Sequence, residues 1–313
     1  MISIIVVNYN GKRYLTDCFA ALQEQTFRDF EVILVDNASS DGSAEFVGSN
    51  FPWVILVRNQ ENRGYAGGVN TGIRAAGGEF ILTLNNDTIP ERDFVERLVR
   101  PFSQSEDVGM CASKMLLPDG RINSTGICVS RSGASWDRGR EMPDDGRFDR
   151  EGEVFGPCAG AALYRRKMLE QIGLFDEDFF LFMEDVDLAL RARMSGWRCI
   201  YVPTARVFHY HGGTAGVGSD CAVYYGNRNI IWYPFKDYPW SFMVTSIFWI
   251  AGRTMGTIPY YIIRGKAAVI LKSKIDGIMG IPGMLRKRKG IRRTLPAREI
   301  AALFHTWCNM NGN

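Results

Sequence analysis

Glu79-Phe80-Ile81-Leu82-Thr83-Leu84-Asn85-Asn86-Asp87 is the stretch on which the reading of this chain turns. Its apolar run reads as a buried strand. A carboxylate just past such a strand sits at the rim of a sheet, where open α/β folds bind their ligands. There it can hold a divalent ion against a phosphate, because hard cations take oxygen ligands.

The residues before it extend the same pattern. Residues 2–7 (ISIIVV) form a continuous apolar run, as expected of a central parallel strand buried on both faces. Residues 14–25 carry helical spacing through Leu15, Phe19 and Leu22, and 31–35 form the next strand, ending at Asp36. The turn 37–42 leads to a short helix and a strand over 54–57. Residues 67–76 read as helix, 80–84 as strand, and 92–102 as a helix behind the Pro90 start signal. This βαβαβαβα series predicts an α/β fold, a mostly parallel central sheet flanked by helices, with right-handed crossovers. Downstream, 118–156 is polar and rich in Gly, Asp and Arg, which suits irregular loop and short strands forming a flap over a site. Regular structure resumes with a strand at 160–164, a helix at 167–172, a helix at 185–195 and a strand at 199–202.

With 313 residues, 46% hydrophobic and 23% charged, the chain has room for one large domain and an appendage, and its composition excludes disorder. We divide it into a catalytic domain, 1–237, and a helical basic region, 238–313. The net charge of +3 conceals an asymmetry: after residue 250, twelve Lys and Arg face only Asp276 and Glu299, so that tail is +10 and the body about −7. Seven scattered cysteines (18, 111, 128, 158, 199, 221 and 308) form no CxxC pair. That pattern excludes a zinc ribbon and a disulfide framework and points to a reducing compartment. The opening residues lack a basic n-region, so the expected location is cytoplasmic, at the inner face of the cell membrane.

Residues 240–263 comprise two apolar runs around Arg253. A buried arginine at the bilayer centre costs about 2.5–3.5 kcal/mol, so these runs are expected to lie in the interface as a pair of amphipathic helices rather than to span, the alternative being a soluble helical subdomain packed on the body. Arg286-Lys287-Arg288-Lys289, with Arg292 and Arg293, suits anionic lipid at about 1 kcal/mol per residue. The expected partner of this region is thus a membrane surface contacted peripherally, and not nucleic acid.

Asp36, at a strand's carboxyl end, either accepts hydrogen bonds from a base or ribose or caps the Asx-rich turn after it. Asn8 is its neighbour in the same crevice. In NRGYAGGVNTG (62–72), Asn62, Gly64, Gly67 and Asn70 belong to a Gly-rich turn whose helix N–H groups can face a diphosphate. No GxGxxG follows the first strand and no GxxxxGK[ST] occurs, which excludes Rossmann and P-loop fingerprints. Asn85-Asn86-Asp87 is a variant of D-x-D in which Asp87 either binds Mg²⁺ or Mn²⁺ or ends a solvated turn. Glu184, Asp185 and Asp187 crowd three carboxylates into one helical turn. Their repulsion raises at least one pKa, as a base requires, although acids also favour a helix N-terminus without catalysis. Arg191 and Arg193 are spaced for ordinary ion pairs. His209 and His211, two of three histidines, follow a strand-like run, and one neutral imidazole can complete a metal's coordination.

In order, VVNYN, VDNASSDGS, ENRGYAGGVNTGI, LNNDT, GPCAGAALYRR, GLFDEDFFLFMEDVDLALRARMSGW, VFHYHGG and YYGNRN run from residue 2 to about 236. As a set they resemble the family 2 inverting glycosyltransferases of the GT-A fold, most closely their rhamnosyltransferase-like branch. The resemblance implies transfer of rhamnose or another hexose from a dTDP- or UDP-sugar to a lipid-linked or growing surface-polysaccharide acceptor, assisted by Mg²⁺ or Mn²⁺. It implies that Asn8, Asp36, Asn62, Gly64, Gly67, Asn70, Asn85, Asn86 and Arg228 bind the nucleotide-sugar, and that Asp87 and His209 (in preference to His211) hold the metal. Asp185 becomes the base with Glu184 beside it, and Gly160, Ala161 and Phe180 line the acceptor side. Asn85 in place of the first acid of D-x-D leaves one carboxylate for the metal. A catalytically silent nucleotide-sugar-binding protein of the same fold is the alternative.

Overall fold

The computed structural model describes residues 1–210, 216 and 218–304. Its first half alternates β1 (Ile2–Asn8), α1 (Lys12–Gln23), β2 (Phe30–Asp36), α2 (Ser43–Asn50), β3 (Ile55–Arg58), α3 (Gly64–Ala75) and β4 (Phe80–Asn85). Strands β4, β1, β2 and β3 lie side by side and parallel, in the register that puts Asn8 opposite Asp36. β1 is buried on both faces because α1 covers one and α3 the other. Two glycines let α3 come close. A Cβ at Gly72 would stand 2.4 Å from Ile5 Cγ2, and one at Gly68 would stand 2.6 Å from Val7 Cγ1. The glycines of 64–72 therefore serve helix-on-sheet contact as well as the turn.

The second half departs from the expected parallel pattern. β5 (Thr88–Pro90) leads into α4 (Phe94–Val99) and α5 (Pro101–Gln104), so the single helix expected over 92–102 is divided at Pro101 and Pro90 ends a strand. Then come β6 (Val108–Leu116), β7 (Ile122–Ser124), β8 (Ile127–Val129), β9 (Ser135–Asp137), β10 (Gly152–Val154) and β11 (Ala161–Arg165). β11 runs antiparallel between β4 and β6, making the sheet mixed rather than mostly parallel. The sequence hid β6, which is buried along its whole length, because Gly109, Ala112, Ser113 and Lys114 break its apolar run. Lys114 is admitted to the interior by ion pairs to Asp144 (2.7 Å) and Asp149 from the flap.

α6 (Arg166–Ile172) and α7 (Glu184–Met194) precede β12 (Arg198–His209), which joins both segments expected as separate strands and pairs parallel to β6 through a register shift. α8 (Asp220–Asp237), α9 (Trp240–Ile263), α10 (Ala267–Lys287) and α11 (Ala297–Ala302) complete the chain. Residues 240–263 form one continuous helix instead of two, with Arg253 and Pro259 inside it. α10 folds back on α8, where Trp232 Nε1 donates to Gly277 O at 2.9 Å. Among the described residues, no helix is long and apolar enough to cross a membrane.

Candidate active site

Three strand ends meet at one rim. Asn8 closes β1, Asp36 closes β2, and Asn86 follows β4. Asn86 Nδ2 donates to Asn8 Oδ1 at 2.7 Å, and Asn8 Nδ2 donates to Asp36 Oδ1 (3.4 Å) and Ser39 Oγ (3.1 Å). All three are buried. Asp36 also accepts from the Ser39 N–H at 3.2 Å, so it closes the turn and faces the crevice at once. Gly11 is fixed by this cluster, since a Cβ there would lie 2.1 Å from Asn86 Nδ2. The next turn is held by Asn37, which sequence reading passed over. Its amide donates to Asn62 Oδ1 (3.0 Å) and Gly64 O (2.8 Å), and its oxygen accepts from the Arg63 N–H at 3.2 Å. Gly64 has φ +68, and a Cβ on it would meet Phe180 O at 2.3 Å.

One step along the rim, Asp87 Oδ1 lies 3.2 Å from His209 Nε2, and both side chains are buried. The β5–β12 pairing sets this geometry by placing His209 opposite Thr88, and the Tyr210 N–H donates to Asp87 O at 3.0 Å. Thr88 Oγ1 donates to Asn85 O at 2.6 Å, closing the turn that carries Asp87. On its far side His209 Nδ1 is 2.7 Å from Asn123 Oδ1. His209 Nε2 also lies 3.2 Å from the Asn85 amide nitrogen. A carboxylate oxygen and an imidazole nitrogen are ligand types that would suit Mn²⁺ or Mg²⁺. Among the described residues no group of three or more His, Cys, Asp or Glu converges as a metal site would require. His211 lies outside the described residues.

The three acids of α7 fall into three environments. Glu184 is buried with no partner on Oε2; burial, then the neighbouring Asp185, push its carboxyl well above the usual range. Asp187 is fully buried, which by itself would raise its carboxyl. Arg191 at 2.7 Å and Lys236 hold it below its ordinary value, making it a structural anchor. Asp185 keeps some exposure, and burial raises its carboxyl to about 6. Its oxygens accept from the Ala159 N–H (3.2 Å) and the Val186 N–H (2.8 Å). Ala159 ties it to the metal side, because the adjacent Gly160 O accepts from the Asn85 N–H at 2.8 Å, two residues before Asp87. Asp137, on the flap, is close enough electrostatically to influence Asp185 and to be influenced by His209. The acids separated by a hundred residues thus share one rim.

Over residues 3–173 the sequence matches the profile of Glycosyl transferase family 2. The chain belongs to that family. An N-acetylglucosaminyl-diphospho-decaprenol L-rhamnosyltransferase of Mycobacterium tuberculosis is 27% identical over 239 residues, spanning 69% of this chain and 78% of the relative. The putative glycosyltransferase EpsH of Bacillus subtilis is 28% identical over 214 residues, spanning 67% and 60%. Two solved structures share the GT-A-like fold. S. aureus TarS 1-349 in complex with UDP has a TM-score of 0.56 at 16% identity, covering 96% of this chain and 90% of that one. The mannosyltransferase PcManGT from Pyrobaculum calidifontis, in complex with GDP-Man and Mn2+, has a TM-score of 0.54 at 20% identity, covering 96% and 78%.

In this glycosyltransferase the segment before α7 is the irregular part of the rim. Phe180, Phe182 and Met183 all have positive φ (62, 67 and 73°), and Phe180 forms a γ-turn in which the Leu181 N–H donates to Phe179 O at 2.7 Å. Such positions cost on the order of 1–3 kcal/mol each and persist only where the surroundings impose them. Phe180 stacks on Tyr225 of α8, centroids 4.7 Å apart. Gly160 abuts Asn85, and Ala161 O accepts from Ser113 Oγ at 2.7 Å. Two residues expected on the nucleotide-sugar have their hydrogen bonds elsewhere. The Arg228 guanidinium packs over Trp232 and donates to Asp178 O (2.7 Å) and Phe179 O (3.1 Å). The Asn70 amide donates to Phe175 O (2.8 Å) and Glu177 Oε1 (2.9 Å). Both brace the 175–179 segment.

Proposed function

We propose that this glycosyltransferase transfers rhamnose or another hexose, with inversion, from a dTDP- or UDP-sugar to a lipid-linked or growing surface-polysaccharide acceptor. One observation carries the reading: a carboxylate with its pKa raised to about 6, Asp185, on the rim that holds the Asp87–His209 pair. Asp185 takes the proton of the acceptor hydroxyl while that oxygen forms its bond to sugar C1. The bond from C1 to the diphosphate oxygen breaks on the opposite face, its electron pair leaving with the nucleotide. Attack opposite the leaving group inverts the anomeric centre. Burial raises the Glu184 carboxyl as well, which disfavours a second charge beside the base. Asp87 and His209 would hold Mg²⁺ or Mn²⁺, which when bound supplies charge neutralisation to the leaving diphosphate.

In this reading Asn8, Asp36, Asn62, Gly64, Gly67, Asn85 and Asn86 receive the nucleotide-sugar, with Asn70 and Arg228 shaping that site through the segment they brace. Gly160, Ala161 and Phe180 receive the acceptor. The names of the mycobacterial relative, of TarS with UDP and of PcManGT with Mn2+ support the substrate class and the cation. Calorimetry with a panel of nucleotide-sugars, with and without Mn²⁺, tests it. Metal-dependent binding of a dTDP- or UDP-sugar is expected, and a panel without any binder would overturn the proposal.

The same reading assigns residues 238–313 to peripheral contact with the cytoplasmic face of the cell membrane. α9 has no buried residue after Ile250, and Phe248 (85% exposed) and Ile263 (83%) face outward beside Met279 of α10 (73%). Arg264 and Lys272, exposed on the same helix pair, add positive charge suited to anionic lipid.

A further inference from the structure

Asn229 lies one residue past Arg228 on α8, far in sequence from α7, and is fully buried. Its Nδ2 donates to three backbone carbonyls: Phe179 O at 2.8 Å, Leu181 O at 2.9 Å and Phe182 O at 2.8 Å. Its Oδ1 accepts from Arg228 Nε at 2.9 Å, which fixes the direction of the amide. Arg228 takes Asp178 O, and the Ala66 N–H donates to Phe180 O at 3.3 Å. Every carbonyl from 178 to 182 is thereby satisfied from outside the loop, three of them by one side chain. These are the carbonyls that the left-handed residues 180, 182 and 183 turn inward, away from any helix or strand partner. Met183 is also the N-cap residue of α7, and Asp185 follows two residues later.

We propose that Asn229 is a positioning residue for Asp185: its amide holds the strained 180–183 loop, and the loop sets the first turn of α7 against Ala159. The rest of α7 is anchored independently, by Asp187 to Arg191 and Lys236. Loss of the amide therefore frees the loop and residues 184–185 and leaves 187–194 in place. The inference rests on the assignment of Asp185 as base, but its structural half can be read without any reaction.

The test uses the full chain and Asn229→Ala. Hydrogen exchange is expected to rise in 180–186 and stay unchanged in 187–194. The turnover number for transfer is expected to fall about 10²-fold, as for a base displaced by an ångström, with donor affinity by calorimetry unchanged. Adding Phe182→Gly, which removes the cost of φ +67, should restore part of the protection and of the rate relative to Phe182→Gly alone. If Asn229→Ala does not fold, Asn229→Asp, which keeps the shape and the Arg228 partner and loses the donors, is measured the same way. Wild-type turnover in either variant, or exchange raised equally across α7 and α8, overturns the proposal. If the wild-type chain transfers no sugar at all, the assigned reaction fails while the exchange pattern still decides the clamp.

Discussion

The strand-end side of the rim and the α7 side solve the same problem in opposite ways. Asn8, Asp36 and Asn86 leave adjacent strands in ordinary backbone and are positioned by sheet register, with side-chain hydrogen bonds of 2.7 and 3.4 Å as trim. Asp185 stands behind three residues of positive φ, between Glu184, whose carboxyl burial raises, and the buried Asp187–Arg191 pair, and accepts from the Ala159 N–H. Register is a local and inexpensive way to place a binding group. A base with a raised pKa needs burial and neighbouring acids, and these work against folding, so remote contacts must hold it in place.

The largest effect that could break this contrast is in the base. Asp185→Asn is expected to lose on the order of 10²–10⁴-fold in transfer rate with donor affinity unchanged, measured by steady-state kinetics and calorimetry. The same variant should be more stable than the wild type above pH 6. The folded Asp185 carboxyl titrates near 6 rather than 3.8, so the native state holds its proton longer than the unfolded chain. Native stability therefore falls as pH rises from 3.8 to 6, and the Asn variant is spared that loss. Thermal melts at pH 4 and pH 7.5 would show it, and a destabilised variant at both would contradict the assignment.

Next in size is Lys236→Met, which strips Asp176 and Asp187 of a buried cation. It should cost on the order of 3 kcal/mol in urea unfolding. On the other side, Asp87→Ala should weaken Mn²⁺-dependent nucleotide binding more than Asn123→Ala, which only orients His209 and should cost about tenfold. Equal losses from both would mean that Asp87 is not a ligand. Wild-type turnover should decline about tenfold for each pH unit below 6, on the acid limb set by the base. The smallest effect on catalysis is expected for Phe248→Ser with Ile263→Ser. These should abolish flotation with anionic vesicles and leave transfer to a soluble acceptor unchanged, whereas retained flotation would remove the membrane assignment.

The parallel half was legible because its elements obey short-range rules. The run at 2–7, the helical spacing of Leu15, Phe19 and Leu22, and the acids and amides at strand ends are all local signals. β6 was not legible, because Lys114 reads as a surface residue until Asp144 and Asp149 meet it. The crowding of Glu184, Asp185 and Asp187 showed that one pKa would rise. How far each of the three carboxyls moves, and in which direction, depends on Lys236, Ala159 and Asp137, each remote in sequence. Asn229 was visible only as the last residue of YYGNRN, with no role attached, since the carbonyls it holds are some fifty residues away in sequence.

The order of strand, helix and motif, and with it the family and the strand-end residues of the rim, was set by the amino-acid sequence alone, because hydrophobic period and turn chemistry act over a few residues. Tertiary structure decided the antiparallel insertion of β11, the approach of His209 to Asp87, and the separate environments of three neighbouring acids. The physical reason is that pKa, metal affinity and backbone strain depend on which distant groups fill the space around an atom, and folding alone brings those groups together.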